Sequence, residues 1–281
     1  MPMKRFRKVY LEITNVCNLD CAFCPGTVRK PRFMSIGEFD VLTDKLKAYT
    51  DFLYFHLMGE PLLHKELGEF LKIAGNKGFK VIITTNGTLL RDKAEILLEL
   101  PSVHKVNVSL QSFEANTGSA LEDYVSRCAD FARRMGEKNK ICVLRLWNKN
   151  GLDSLNPQIE KIIESAFPKP WGEYRHGLKL HDKIWLEHGE KFDWPDLDKT
   201  QENERLFCYG LRDQIGVLCD GTVVPCCLDH NGDIALGNLF EQELGEIING
   251  DRAVKIFACF SERKAAEPLC RRCGYALRFS K

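Results

Sequence analysis

No apolar run in these 281 residues is long enough to cross a bilayer as a helix. Neither sign of charge is in excess: 40 Lys and Arg against 39 Asp and Glu leave a formal net charge of +1. The broad basic field that nucleic acid attracts is therefore missing. The N-terminus begins with positive residues, as a secretory signal does, but Glu12 breaks the apolar stretch that should follow. Internal repeats and low-complexity segments are missing too. The expected protein is globular and cytoplasmic, with neither membrane nor nucleic acid as a partner. Basic clusters at Lys4, Arg5, Arg7 and Lys8, and at Arg271, Arg272 and Arg278, read as solvated termini.

Cysteine, by contrast, is abundant, with twelve in the chain. Disulfides are not expected in the cytoplasm, so metal or cluster ligation better explains the clustered thiols. Cys17, Cys21 and Cys24 follow a short strand-like run with the spacing C-x3-C-x2-C. Three thiolates on one loop can hold a soft metal centre and leave a fourth position open, where chemistry takes place. Half of a zinc site, completed elsewhere, is the alternative. Cys208, Cys226, Cys270 and Cys273 supply four more thiolates, for which a zinc ribbon is the alternative. Cys227 adjoins Cys226, and Cys219 lies in a hairpin turn, so either could substitute for Cys226. Cys128, Cys142 and Cys259 fall on helix or strand positions and read as inert packing thiols.

From residue 9 to about residue 167, short β-rich runs alternate with helical ones. Strands are expected at 9–14, 52–58, 79–84, 105–110 and 141–146, with 178–186 as a candidate sixth. Ser35 and Glu38 form a capping box ahead of an apolar face of Ile36, Phe39, Leu42 and Leu46. Leu67, Phe70, Leu71 and Ala74 make a second face. Leu121, Val125, Cys128, Ala132 and Met135 make a third, with Gly136 as the expected C′ residue. Asn156-Pro157 reads as N-cap and N1 of another helix. Such βα units predict a parallel sheet, either a partial barrel or an open doubly wound one, with its ligand at the C-terminal strand ends. The cysteine loop 17–24 lies at that rim. Residues 168–207 read mainly as connector. Beyond it, Cys219-Asp220-Gly221 marks a hairpin between 214–218 and 222–224, followed by helices at 239–248 and 252–260.

Cys17-Asn18-Leu19-Asp20-Cys21-Ala22-Phe23-Cys24 resembles the signature of the radical S-adenosylmethionine (SAM) superfamily. The resemblance implies an α/β fold, a partial (β/α)6 barrel over residues 1–190. It implies that Cys17, Cys21 and Cys24 bind a [4Fe-4S] cluster whose fourth iron chelates SAM. Electron transfer then cleaves SAM to a 5′-deoxyadenosyl radical that abstracts hydrogen from substrate. Met58-Gly59-Glu60-Pro61 is similar to the family's Gly-Gly-Glu element at the SAM amino group. Met58 replaces the first glycine, so Gly59 and Glu60 carry over. Asn86 and Ser109, at the ends of the third and fourth strands, match positions used for SAM ribose or carboxylate. Arg145 interrupts an apolar strand and reads either as a structural ion pair or as a SAM carboxylate contact. Phe23 could pack its ring on a planar ligand.

Cys208-x12-Gly221-x4-Cys226 resembles the opening of the family's SPASM extension. After a connector at 191–207, residues 208–281 have room for one complete auxiliary [4Fe-4S] cluster, the shortened form called a twitch domain. Four protein thiolates leave no open iron, so the resemblance implies an electron-transfer role and a two-electron oxidation of substrate. Many peptide-modifying members carry an N-terminal leader-binding domain, and a first strand at about residue 9 leaves no room for one. The expected substrate is thus a small polar metabolite, with a peptide maturase or epimerase as the alternative and a flavodoxin- or ferredoxin-type protein as electron donor. The non-enzyme alternative is a two-site zinc protein. His176, His181, His188 and Trp194 could touch substrate, though a solvated connector explains them as well. No residue is singled out as the catalytic base.

Overall fold

The computed structural model describes residues 5–116, 118–200 and 202–279; Lys4 of the N-terminal basic cluster lies outside them. Six parallel strands form its spine: β1 (Lys8–Leu11), β2 (Phe52–Phe55), β3 (Lys80–Thr85), β4 (Val103–Ser109), β5 (Ile141–Lys149) and, after two short antiparallel strands, β8 (Ile184–Glu190). Helices α1 (Ile36–Lys47), α2 (Leu67–Asn76), α3 (Leu90–Glu99), α4 (Leu121–Glu137) and α5 (Asn156–Ala166) fill the crossovers. Each parallel neighbour needs such a crossover, because a tight turn cannot return the chain in the same direction. The βα order is that of a partial (β/α)6 barrel. Among the described residues no pairing joins β8 back to β1.

The helices show why the sequence folds this way. At α1, Ser35 accepts the Glu38 N–H while Glu38 accepts that of Ser35, closing the expected capping box. Phe39, Leu42 and Leu46 are buried, but Ile36 is 40% exposed and lies off the apolar face. Phe39 stacks on Phe70 of α2 with ring centroids 4.4 Å apart. In α4, Gly136 is not the C′ residue. The helix continues to Glu137, and Asn139 at φ +57° takes the left-handed position instead. A Cβ on Gly136 would lie 3.1 Å from Ile184, so this glycine lets α4 approach β8. α5 starts one residue earlier than expected. Asn156 is already helical, and its side chain pairs with Asn148 instead of capping.

The candidate sixth strand at 178–186 is a hairpin. β7 (Gly177–His181) turns through Lys183, at φ +60°, into β8. With β6 (Gly172–Tyr174), these form an antiparallel margin inside the stretch read as connector. The cysteine-rich module opens with the expected hairpin, β9 (Gln214–Val217) and β10 (Thr222–Val224), with Gly221 at φ +84°. β9 also pairs parallel with β1, so one sheet runs β11-β10-β9-β1-β2-β3-β4-β5-β8-β7-β6, where β11 is Gly237–Asn238. The helix expected from residue 239 starts only at α6 (Leu244–Asn249), and α7 (Asp251–Ser261) follows.

Candidate functional site

The cysteine loop leaves the end of β1 and is clamped from below by the end of β2. Gly59 has φ +77°, and a Cβ there would lie 2.4 Å from the Thr14 carbonyl oxygen and 2.9 Å from that of Val16. Only glycine fits against the loop backbone at this point. Glu60 is 2% exposed, and its carboxylate takes the Asn86 N–H at 2.7 Å and the Leu62 N–H at 3.0 Å. Burial raises its pKa to about 7 against those hydrogen bonds. The Glu60 carboxylate therefore ties β2 to the end of β3. Among the described residues no donor reaches the main-chain carbonyls of Met58 or Gly59. Each oxygen of the Glu60 carboxylate already accepts a main-chain N–H.

Cys17 and Cys24 are exposed and Cys21 is half-buried. Burial, followed by repulsion from Cys17 and Cys24, pushes the Cys21 thiol up to about 12. Such a trio ionises only around a cationic centre, which is the donor chemistry of a metal loop. Among the described residues no three Cys, His, Asp or Glu side chains converge on a single ion.

The loop is tied down by an ion pair that the sequence analysis did not single out. Glu12, 1% exposed, accepts both Arg29 Nη atoms at 2.8 and 2.7 Å, the Cys219 N–H at 3.1 Å and the Met58 N–H at 3.3 Å. Arg29 Nε donates to the His230 carbonyl, and Thr27 and Val28 hydrogen-bond to Asn231. Arg32 donates to the Cys219 carbonyl, and Trp194 Nε1 donates to that of Phe23. The only signal for this clasp in the sequence is a carboxylate inside an apolar run, followed by an arginine 17 residues later.

The expected SAM residues fall into two groups. Gly59, Glu60 and Asn86 meet beneath the cysteine loop, where Asn86 Nδ2 lies 2.9 Å from Asn18 Oδ1 and 3.9 Å from Cys17 Sγ. Ser109 and Arg145 sit on one rung of the sheet, with Glu187 next along it. Arg145 Nε lies 3.4 Å from Glu187 Oε2 without hydrogen-bond geometry, and the guanidinium covers Trp147 at 4.6 Å. Phe23 is half-buried in the loop. Tyr10, Tyr54 and His56 line the same face of the sheet as Arg145. Tyr10 and His56 have ring centroids 5.9 Å apart, and burial together with Arg145 lowers His56 to about 4. Asn107 Oδ1 on β4 is buried without a partner. The connector histidines lie elsewhere: His188 pairs with Glu160 on α5, and His176 and His181 are exposed.

In the module, Cys208, Cys226, Cys270 and Cys273 all line one cavity of ≈ 340 Å³, otherwise walled mainly by apolar groups such as Leu206, Leu228, Phe260 and Leu269. Burial and the neighbouring cysteines push the Cys226 and Cys270 thiols well up. Cys227 does not line this cavity and packs beside Tyr10, Leu218 and Val224. Cys219 is buried with its Sγ toward the Ile13 carbonyl. Four thiols gathered in one cavity suit a fully protein-ligated iron–sulfur cluster.

The pattern of the Radical SAM superfamily matches residues 11–164, and that of SPASM, an iron-sulfur cluster-binding domain, matches residues 208–274. The chain belongs to the radical SAM superfamily of enzymes. It is 22% identical to the S-adenosyl-L-methionine-dependent 2-deoxy-scyllo-inosamine dehydrogenase of Niallia circulans, over 96% of this chain and 94% of that one. It is 31% identical to an S-adenosylmethionine-dependent nucleotide dehydratase of Selenomonas ruminantium, an alignment spanning 41% of this chain and only 42% of the relative. The sporulation killing factor maturation protein SkfB of Bacillus subtilis aligns over 88% of this chain and 65% of its own length at 23% identity. In fold the chain is similar to BtrN in complex with AdoMet and 2-DOIA (TM-score 0.59, 19% identity, 96% and 94% coverage). It is also similar to Streptococcus suis SuiB bound to precursor peptide SuiA (TM-score 0.65, 16% identity, 97% and 70% coverage). A [4Fe-4S] cluster with SAM and an auxiliary iron–sulfur cluster are thus the cofactors of this architecture. No helix among the described residues is long and apolar enough to cross a membrane.

Proposed function

We propose that this enzyme removes two electrons and two protons from a hydroxyl- or amine-bearing carbon of a small polar molecule. We assign Cys17, Cys21 and Cys24 to the cluster that binds SAM, and Cys208, Cys226, Cys270 and Cys273 to the auxiliary cluster. When bound, the first centre with SAM supplies a hydrogen-abstracting radical and the second supplies a one-electron sink. The main-chain carbonyls of Met58 and Gly59 would receive the SAM ammonium group. Ser109 and Arg145 would face its ribose or carboxylate.

One observation carries the reading of the substrate: the polar face formed by Tyr10, Tyr54, His56, Asn107, Arg145 and Glu187. It holds a buried acceptor without a hydrogen-bond partner, Asn107 Oδ1, and a buried donor, Arg145 Nε, whose ion pair with Glu187 at 3.4 Å lacks hydrogen-bond geometry. Unpaired buried polar atoms cost about 1–3 kcal/mol each, which a ligand carrying both donors and acceptors recovers. A hydroxylated or aminated ring offers both within a small volume. His56, held neutral at pH 7 by its surroundings, can accept a hydrogen bond from such a hydroxyl. The similarity to the 2-deoxy-scyllo-inosamine dehydrogenase along nearly the whole length of both chains supports the same class. A second reading, peptide maturation, is favoured by the similarity to SkfB. In either case the proposed setting is the cytoplasm, with a flavodoxin- or ferredoxin-type donor.

The test is anaerobic reconstitution. The protein should carry about eight irons per chain and release 5′-deoxyadenosine from SAM under reductant. A panel of aminocyclitols, beginning with 2-deoxy-scyllo-inosamine, and of peptides then separates the two readings by which class yields a product two mass units lighter. In the Cys270→Ala/Cys273→Ala variant, 5′-deoxyadenosine should persist while oxidised product is lost. Wild-type product yield from that variant, folded and loaded at the first site, would remove the second cluster from the oxidation.

A further inference from the structure

Asn86 makes a hydrogen bond from every polar group it owns. Its main-chain N–H goes to Glu60 Oε2 at 2.7 Å, and its carbonyl accepts from Tyr124 at 2.6 Å and Ser112 at 3.2 Å. Its side-chain Oδ1 accepts the Thr88 N–H at 3.0 Å and the Thr88 hydroxyl at 2.7 Å. With the oxygen fixed there, Nδ2 has to face the cysteine loop. One Nδ2 hydrogen reaches Asn18 Oδ1 at 2.9 Å, and the other points at Cys17 Sγ at 3.9 Å. Among the three loop sulfurs, it is that of Cys17 that a side-chain amide faces.

We propose that Asn86 is a positioning residue that tunes the cysteine-loop cluster, its carboxamide acting on the Cys17 sulfur rather than on SAM. This rests on the assignment of Cys17 as a cluster ligand. Hydrogen bonds to ligand sulfur stabilise the more electron-rich reduced cluster and so raise its potential. Asn86 is held by its own main chain, which Glu60 and Tyr124 bind, so truncating the side chain leaves the backbone in place while removing the Nδ2 donors and the acceptor for Thr88.

The experiment is an EPR-monitored redox titration of the reconstituted enzyme without substrate, comparing wild type with Asn86→Ala and Asn86→Asp. The loop signal is recognised by its change on adding SAM. In both variants its midpoint should shift to more negative potential, further in Asn86→Asp, where a negative charge replaces the donor. The auxiliary midpoint should stay at the wild-type value. The proposal is overturned by an unmoved loop midpoint in a fully loaded variant, by equal shifts of both clusters, or by a loop that no longer loads iron. A wild-type protein without a SAM-responsive cluster would instead overturn the assignment of Cys17.

Discussion

The Glu12–Arg29 clasp predicts a particular pattern of stability changes. The Glu12 side chain is fully buried and that of Arg29 is 15% exposed, and they meet through two charged hydrogen bonds. Removing one member of a buried pair costs about 3–5 kcal/mol, because the other is left charged without compensation. Arg29→Met should fall in that range. Glu12→Met should cost more, because it also strands the N–H groups of Cys219 and Met58, each about 1–3 kcal/mol when unsatisfied. The double variant strands no charge and should cost less than the sum of the two by about 0.5–3 kcal/mol. The assay is urea unfolding of the metal-free reduced chain under anaerobic conditions, so that iron loss does not enter. A shifted midpoint with unchanged slope reads stability alone. Strict additivity of the two substitutions, or an Arg29→Met change within the range of about 0.5 kcal/mol seen at surfaces, would refute the reasoning.

Two further predictions follow from the same neighbourhood. Gly59→Ala places a methyl group 2.4 Å from the Thr14 oxygen at a φ of +77°, so strain of about 1–2 kcal/mol adds to the displacement of the loop; iron bound at the loop should fall while auxiliary iron is retained, and full loop iron with normal SAM binding would count against the clamp. His56, lowered to about 4 from 6.5, is neutral in the fold where the unfolded chain is protonated. Stability should therefore be fully present above about pH 6.5 and decline by about 3 kcal/mol as pH falls towards 4. His56→Asn should flatten that limb of the urea-midpoint profile, and an unchanged limb would show that the residue titrates normally.

What the sequence revealed and what it concealed divide along physical lines. Thiol spacing is local, so both cysteine sets were legible, and the cavity shared by Cys208, Cys226, Cys270 and Cys273 gathers residues up to 65 apart. The five strands were legible as β-rich runs with helical faces between them. The β7–β8 hairpin was not, because its turn uses Asp182-Lys183, with a lysine rather than a glycine at positive φ. Helix α3 starts without a capping side chain and leaves no N-terminal mark. Glu12 and His56 lay hidden in apolar runs, one residue beyond the ends of β1 and β2, since their partners come from other elements and no periodicity points to them. Glu60 and Asn86 were found for their position at strand ends, yet the structure gives their polar atoms to the protein itself.

The pairing of β9 with β1 has a consequence for timing. Electron hops depend steeply on distance, and here β1, which leads into the Cys17–Cys24 loop, pairs with β9 of the hairpin that Cys208 and Cys226 flank. Their separation is set by backbone ladder bonds rather than by a tether that wanders. For the proposed oxidation, the sheet would thus act as a built-in ruler between the place where a radical begins and the place where its electron is stored. Substrates of different shape can be tried against that fixed interval by changing only the side chains that lie between its ends.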